Sequence, residues 1–192
     1  PYFAKYALGD EELVPPALAV LVFGQAIAAP AWHWVSTRIE TARALAMAHA
    51  SAMLTLVLFL VFSFVAGPGL WTVILLFGAA GGGVWSLIWA MASDVIDAVE
   101  RRSGLRPEAV MIALASDAMK IGLAVGALGI GVMLGAVGYD ADVDQTAGTL
   151  WGIKAIMSLP AVTGCAFVLL ALTRYSLTHK ARRALTAESG AP

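Results

Sequence analysis

Two opposite charges lie close together inside an otherwise apolar stretch of the chain. Asp117 and Lys120 are three residues apart near the middle of segment 109–137, which is long enough to cross a bilayer. An unpaired ammonium at that depth is costly, so Lys120 is expected to face protein, water or an anion. Asp117 falls on the same helix face and supplies one candidate partner within the chain. The two residues therefore indicate either a structural ion pair or a charged group that faces a polar cavity.

A second group of charges follows the apolar segment 70–93. Three carboxylates recur at three-residue spacing, which keeps them on one slowly drifting stripe of a helix, and arginines follow at once. The carboxylates are Asp94, Asp97 and Glu100, and the arginines are Arg101, Arg102 and Arg106. Three carboxylates could bind a metal ion, but no histidine accompanies them, so the pattern favours salt bridges that lock helices together. We expect the two aspartates to pair with arginines of the connectors 100–108 or 36–43, and we expect no metal site.

Two tryptophans precede these carboxylates on the same segment. Trp85 and Trp89 are one helical turn apart. Because the C–H faces of sugars pack on aromatic rings, the pair could form a platform for a sugar. Contact with lipid or with neighbouring helices explains the same spacing, and both interpretations stay open.

Other aromatic and charged residues have ordinary explanations. Trp32 and Trp34 lie near the end of their apolar segment, where an aromatic belt at the membrane surface is typical. Lys154 is six residues into the last apolar segment, close enough to its end for the ammonium to reach the membrane surface. We assign none of these residues to a site.

The sequence does not favour catalysis or nucleic-acid binding. No Ser/His/Asp or Cys/His arrangement is apparent, and the single cysteine, Cys165, lies in an apolar run that favours core packing. The chain has 12 Lys+Arg against 13 Asp+Glu, a formal net charge of −1, which offers no basic surface for nucleic acid. We therefore expect no enzyme, no cofactor and no nucleic-acid partner.

The elements that must position these residues are membrane-spanning helices. Hydrophobic residues make up 60% of the 192 residues and charged residues only 13%, which is far from the composition of a soluble domain. A bilayer core of about 30 Å needs roughly 20 apolar residues per helix. Five segments meet that requirement: 13–35, 44–66, 70–93, 109–137 and 149–173. Pro1 to Leu8 is apolar but too short to cross, and we interpret it as the end of a further helix rather than an interfacial anchor.

The distribution of Lys and Arg predicts the orientation of these segments. Nine of the ten basic residues outside them fall in the connectors 36–43 and 100–108 or after the last segment. By the positive-inside rule these parts face the cytoplasm, whereas the acidic connectors, with Lys5, face outside. We therefore expect residues 1–175 to form a membrane bundle and 176–192 a cytoplasmic tail, in the inner membrane of a bacterium.

Glycines are frequent in two of the apolar segments. Two pairs have the small-xxx-small spacing that lets helices approach closely. These pairs are Gly122 with Gly126 and Gly131 with Gly135. The cluster 81–83 lacks the lysine and hydroxyl of a phosphate-binding loop and indicates a helix contact or a weak point in the helix. Both patterns predict packing rather than chemistry.

One stretch resembles the signature of a known transporter family. It covers residues 93–108 and contains Asp94, Asp97, Glu100, Arg106 and Glu108. In the glycoside-pentoside-hexuronide:cation symporters, the melibiose permease branch of the major facilitator superfamily, the tenth helix ends in a similar A-D-x-x-D-x-x-E run. A basic loop with R-x-E follows it. The resemblance implies a charged network at the cytoplasmic ends of helices, which in that family is thought to hold the outward-open state and to release on switching.

Further matches follow in the order of the family. Ser116 and Lys120 fall where its eleventh helix carries a small hydroxyl and a lysine that face the cavity. Residues 6–10 are similar to the end of its seventh helix, and 138–153 are similar to its outer loop and the start of its last helix. The resemblance casts Lys120 as the residue that reaches carboxylates of the other half of the transporter. Asp117 departs from the family pattern and keeps the structural ion pair open as an alternative.

The resemblance implies an all-α membrane protein with five full transmembrane helices and the end of a sixth, similar to the C-terminal six-helix bundle of a major facilitator transporter. Such transporters rock one bundle against the other around a midplane site. In the family, the N-terminal half supplies the acidic residues that bind the coupling cation. We therefore expect half of a carrier for a sugar or glycoside with Na⁺ or H⁺, surrounded by lipid and completed by an N-terminal half or a second copy. The alternative is a truncated homologue that acts as a structural or assembly subunit of a larger membrane complex, without transport.

Overall fold

The computed structural model of the protein describes residues 2–62, 67–141, 143 and 145–175, and within them the chain forms helices and short connectors without a strand. The elements are α1 (Tyr2–Ala7), a 3-10 turn (Glu11–Leu13), α2 (Val14–Arg38), α3 (Thr41–Phe62), α4 (Pro68–Ser103), α5 (Glu108–Ala136) and α6 (Ala147–Thr173). The predicted tail 176–192 lies outside the described residues, as do Asp142 and Asp144 of the α5–α6 connector.

Five helices, α2 to α6, are long and apolar enough to cross a membrane. The short helix α1 precedes them and ends before Gly9, whose φ of +71° closes the turn. The predicted fold class, an all-α membrane protein with five full spans, is confirmed. One boundary differs from the predicted segments: α4 continues past residue 93 for a total of 36 residues. The acidic run therefore lies on the last turns of α4, which agrees with the helical stripe predicted from its spacing, and Glu100 belongs to the helix rather than to the connector.

Local sequence explains both ends of α4. The helix begins at Pro68, which follows Gly67, because proline fits the first helical turn and its missing N–H costs nothing there. It ends at Gly104, whose φ of +70° is left-handed and whose N–H donates to the carbonyl of Glu100 at 2.8 Å. The arginines that follow the carboxylates are thus held close to them by the helix end.

α4 packs along both α2 and α3, and α6 packs along α3. The contact between α2 and α4, here called the α2–α4 seam, consists of Gly24, Trp32, Gly78, Gly82 and Gly83. A Cβ on Gly78 would collide with the backbone of Leu21, and one on Gly82 would lie 2.5 Å from the carbonyl oxygen of Gln25. Because backbone atoms cannot rotate away, these positions accept only glycine. The glycine cluster 81–83 is therefore part of a helix contact, and α4 passes through it without a break.

Trp32 closes one end of this seam. Its indole Nε1 donates to the carbonyl oxygen of Ala79 at 2.9 Å, and its ring covers Gly83. The ring also packs against a small buried core formed by Ala44, Leu45, Ala48 and Leu87. The interpretation of Trp32 as an aromatic-belt residue is therefore wrong, because its ring is used for helix packing.

α5 contrasts with the other spanning helices because it touches the bundle only slightly, through α4 and α6. Leu134 is the one buried residue of this helix, all of which lies in the described part of the chain. At the glycines 122, 126, 131 and 135, an added Cβ would have no neighbouring atom within 4 Å. The close packing that their spacing predicts does not occur within the described residues of this chain.

Candidate functional sites

Arg106 is the centre of a charged cluster at the end of the bundle where α4 ends and α5 begins, here called the basic end. Its Nη1 lies 2.7 Å from Glu100 Oε2 and 3.6 Å from Asp97 Oδ1, and its Nε donates to Glu108 Oε2 at 2.9 Å. The three carboxylates come from the last turns of α4 and the first turn of α5. The cluster therefore ties these two helices together across the connector 104–107.

The guanidinium of Arg106 is a fixed positive charge. Its hydrogen bonds to Glu108 and Glu100 raise the pKa of Arg106 above its ordinary value. The side chain is half exposed, so each of its ion pairs is screened by water and contributes little to stability. A cluster of this kind can open and close at a small free-energy difference.

The remaining charged residues of the acidic run have separate partners. The hydroxyl of Thr41 donates to Asp94 Oδ2 at 3.1 Å, which joins α4 to the start of α3. Arg101 Nε donates to the backbone carbonyl of Asp97 at 3.1 Å, whereas Arg102 is exposed near the end of α4. The structure thus brings Asp97, Glu100 and Arg106 together and directs Asp94 towards α3. Sequence reasoning missed Thr41, although a threonine at the start of a helix is a familiar partner for polar groups.

In the described part of the chain, these carboxylates are not grouped as the ligands of a metal ion would be. Across residues 2–62, 67–141, 143 and 145–175, no group of three or more histidine, cysteine, aspartate or glutamate side chains has the geometry to hold a metal ion. The arginine occupies the space between the carboxylates that a cation would need.

The second candidate site is the Asp117–Lys120 pair on α5. Lys120 Nζ lies 3.6 Å from Asp117 Oδ1, and the two side chains are 74% and 66% exposed. Lys120 is the thirteenth of the 29 residues of α5, so the pair lies near the middle of the spanning helix. Ser116 is half-buried on the flank of the same side, one turn before Lys120. Two charges at this depth are thus presented outward from the bundle.

Trp85 and Trp89 lie on the surface of α4. They are 52% and 39% exposed and lie one turn apart. Their rings are therefore accessible to a ligand or to lipid from outside the bundle.

At the end opposite the basic end, a pair of tyrosines joins α1 to the α5–α6 connector. Tyr139 Oη donates to Tyr6 Oη at 3.2 Å, and Tyr6 Oη donates to the carbonyl of Ala141 at 3.1 Å. The rings meet edge to face with centroids 5.5 Å apart. Sequence reasoning did not predict this contact, since the residues are 133 positions apart.

Lys154 is also placed differently from its prediction. It is 1% exposed, and its Nζ lies 5.1 Å from the centroid of the Trp151 ring, a cation–π contact. One turn later, the hydroxyl of Ser158 is fully buried and has no hydrogen-bond partner among the described residues. The predicted extension of Lys154 to the membrane surface is wrong, because helix packing around the start of α6 covers the side chain.

These features define a class of protein: an α-helical integral membrane protein with five spanning helices, an ion-pair cluster at one end and an exposed charged pair at mid-span. A family model described as MFS/sugar transport protein matches residues 1–179. The chain therefore belongs to the MFS/sugar transport protein family, and its place is a lipid membrane. Comparison with curated proteins and with solved structures gave no match.

Proposed function

We propose that the chain is half of a secondary active transporter that carries a sugar or glycoside in symport with Na⁺ or H⁺. Membership of a sugar transport family supports a sugar as the cargo. The observation that carries the proposal is the Asp117–Lys120 pair, which is exposed near the middle of a spanning helix. Ionisable residues inside spanning helices are costly in lipid and mark substrate or ion pathways.

In the proposed mechanism the pair on α5 faces a polar cavity between this bundle and the other half. Asp117 offers carboxylate oxygens to a proton or to Na⁺, and neutralising this carboxylate would free Lys120 to donate hydrogen bonds to a sugar hydroxyl. Ser116 would add a hydroxyl beside it. Trp85 and Trp89, which are accessible on α4, would provide a face for the sugar ring. Cation binding and sugar binding would then be linked through one lysine.

The Arg106 cluster would act as a lock at the basic end, which the positive charges place in the cytoplasm in this proposal. It connects the end of α4 to the start of α5, the helix that carries the charged pair. Its ion pairs are half exposed, so they can break when the two halves rock. This arrangement would favour one of the two access states without fixing it.

A structural subunit without transport is the second candidate. The observation in its favour is the 3.6 Å separation of Lys120 and Asp117, since a pair satisfied within one helix needs no substrate. In that case the exposed side of α5 would be covered by another protein of a stable membrane complex.

Uptake by the native assembly in proteoliposomes distinguishes these functions. We expect an inward gradient of Na⁺ or H⁺ to drive accumulation of a labelled glycoside, and Lys120→Ala to abolish it without loss of membrane insertion. Val125→Ala, on α5 but away from the pair, serves as the matched control. If no cation gradient drives uptake, and the chain is recovered at its present mass in a stable hetero-complex, the subunit function replaces the transporter.

A further inference from the structure

The exposed side of α5 has a regular composition. Its charged pair belongs to a row of residues spaced by three or four, here called the α5 stripe: Ala113, Asp117, Lys120, Ala124, Ala127, Gly131 and Gly135. Every member of this row is exposed. Spacing of this kind keeps residues along one seam of a helix. Apart from the two charges, the α5 stripe contains only alanine and glycine, the residues that let two helices approach closely.

The α5 stripe points away from the rest of the bundle. Five positions of α5 are partly covered: Met111, Ala115, Ser116, Met119 and Gly129. At 100° per residue all of them except Ser116 fall on the side opposite the α5 stripe, whereas Ser116 and the buried Leu134 lie beside it. The bundle therefore contacts mainly one side of α5 and leaves the α5 stripe, with both charges, exposed.

Lipid is a poor cover for this side. A charged side chain at the centre of a spanning helix is costly to insert into lipid, and the pair lies near that depth. An ion pair within the helix reduces this cost, but the separation of 3.6 Å and the exposure of both side chains leave most of their surface to the surroundings. A protein surface with complementary charges removes the cost more completely.

Two copies of the α5 stripe have charges complementary to each other, because each copy carries one acidic and one basic residue. In a two-fold symmetric contact, residue i of one copy meets residue j of the other, and the reverse contact forms as well. Two copies in the same membrane orientation place their α5 helices parallel, with Asp117 and Lys120 separated in height by about 4.5 Å. The long side chain of Lys120 can cross that height to Asp117 of the other copy. Two equivalent ion pairs then form at the centre of the contact.

We propose that two copies of this chain associate through their α5 stripes, with Lys120 of each copy paired to Asp117 of the other. Alanine and glycine on both sides of the pairs let the two helices come close enough for the exchange. The inference names the partner that the proposed function requires, but its test measures association rather than uptake. Association and transport can therefore fail separately.

The proposal is tested by replacing one charge of the pair with its opposite in copies that carry two different tags, and by measuring how much of one tagged copy is purified together with the other. When all copies carry Asp117→Lys, or all carry Lys120→Asp, like charges meet at the contact. Purification through the first tag should then recover roughly 3- to 30-fold less of the second tag than it does with wild type. A mixture of copies with Asp117→Lys and copies with Lys120→Asp should restore recovery to the wild-type level or above. Recovery that stays low in the mixture, or that is unaffected by the single exchanges, overturns the proposal.

Disulfide cross-linking tests the same contact without altering the charges. In a Cys165→Ser background, Ala124→Cys should give cross-linked dimers in native membranes. Val125→Cys, one residue away and 64% exposed on another side of α5, should give several-fold fewer. Equal yields at the two positions, or no dimer at Ala124→Cys, contradict the proposed interface. This outcome does not depend on whether the variants with an exchanged charge insert into the membrane.

Discussion

The α2–α4 seam and the α5 stripe are both rich in small residues, yet only the first is packed within the chain. In the seam, each glycine lies against a defined group of the other helix, such as the backbone of Leu21 opposite Gly78. Along α5, a Cβ added at Gly131 or Gly135 would meet no neighbouring atom within 4 Å. Small-residue spacing therefore indicates how closely another helix can approach, but it does not indicate which helix approaches.

Charge separates the two regions further. The seam carries no ionised side chain among its members, and its one polar donor, Trp32 Nε1, is satisfied by the carbonyl of Ala79. The α5 stripe carries Asp117 and Lys120 near its middle, both exposed. A finished helix contact thus has its polar groups paired internally, whereas the α5 stripe retains charges for a contact or ligand outside the bundle.

Gly78→Ala should have the largest effect on the fold, because the added methyl meets backbone and the helices must separate. We expect a loss of roughly 1–3 kcal/mol in the free energy of unfolding, seen as a lower melting temperature in detergent. Gly126→Ala on α5 is the matched control and should be neutral or stabilising by about 0.5–1 kcal/mol, as for any exposed helical glycine. Equal destabilisation by both changes would remove the distinction between the two regions.

Trp32→Phe should have the next largest effect. The phenyl ring keeps most of the packing on Gly83 but loses the hydrogen bond to Ala79, for a cost of about 0.5–1.5 kcal/mol in unfolding free energy. Trp34→Phe is the control, since Trp34 is 57% exposed. Thermal unfolding followed by intrinsic fluorescence measures both variants, and a greater loss for Trp34→Phe would contradict the role given to Trp32.

Much of the fold was predictable because the bilayer thickness fixes the length of a spanning helix. Five apolar segments long enough to cross therefore gave five helices with nearly the right limits. The extension of α4 to Ser103 was not visible in hydropathy, since its last turns are charged and continue as helix beyond the apolar run. The resemblance to sugar:cation symporters pointed to the broader family that the match over residues 1–179 shows.

Individual side-chain environments were less predictable. The contiguous acidic run indicated partners nearby, and Arg106 does lie close to Glu100 and Asp97. The burial of Lys154 and the packing of the Trp32 ring between helices depend on which helices become neighbours. Residue spacing along one helix does not encode this. The same limit applies to Tyr6 and Tyr139, which meet only because α1 lies against the α5–α6 connector.

Arg106→Gln should have the smallest effect on stability, with little change in the melting temperature, because its ion pairs are half exposed and screened by water. Its effect should appear instead as faster backbone hydrogen exchange in the connector 104–107 and the adjoining helix turns. Arg102→Gln, at an exposed position near the same helix end, should leave exchange unchanged. Equal changes in the two variants would show that Arg106 does not hold α4 to α5.

The central claim is that the α5 stripe faces protein or a polar cavity rather than lipid. Spin labels at Ala124→Cys and Val125→Cys, each in a Cys165→Ser background and in native-like bilayers, lie at nearly the same depth on different sides of α5. Accessibility to oxygen, which concentrates in the lipid core, measures exposure to lipid at each label. We expect a high oxygen accessibility for the label at position 125 and a several-fold lower value at position 124. An equally high oxygen accessibility at position 124 would show that lipid covers the α5 stripe and would contradict the account.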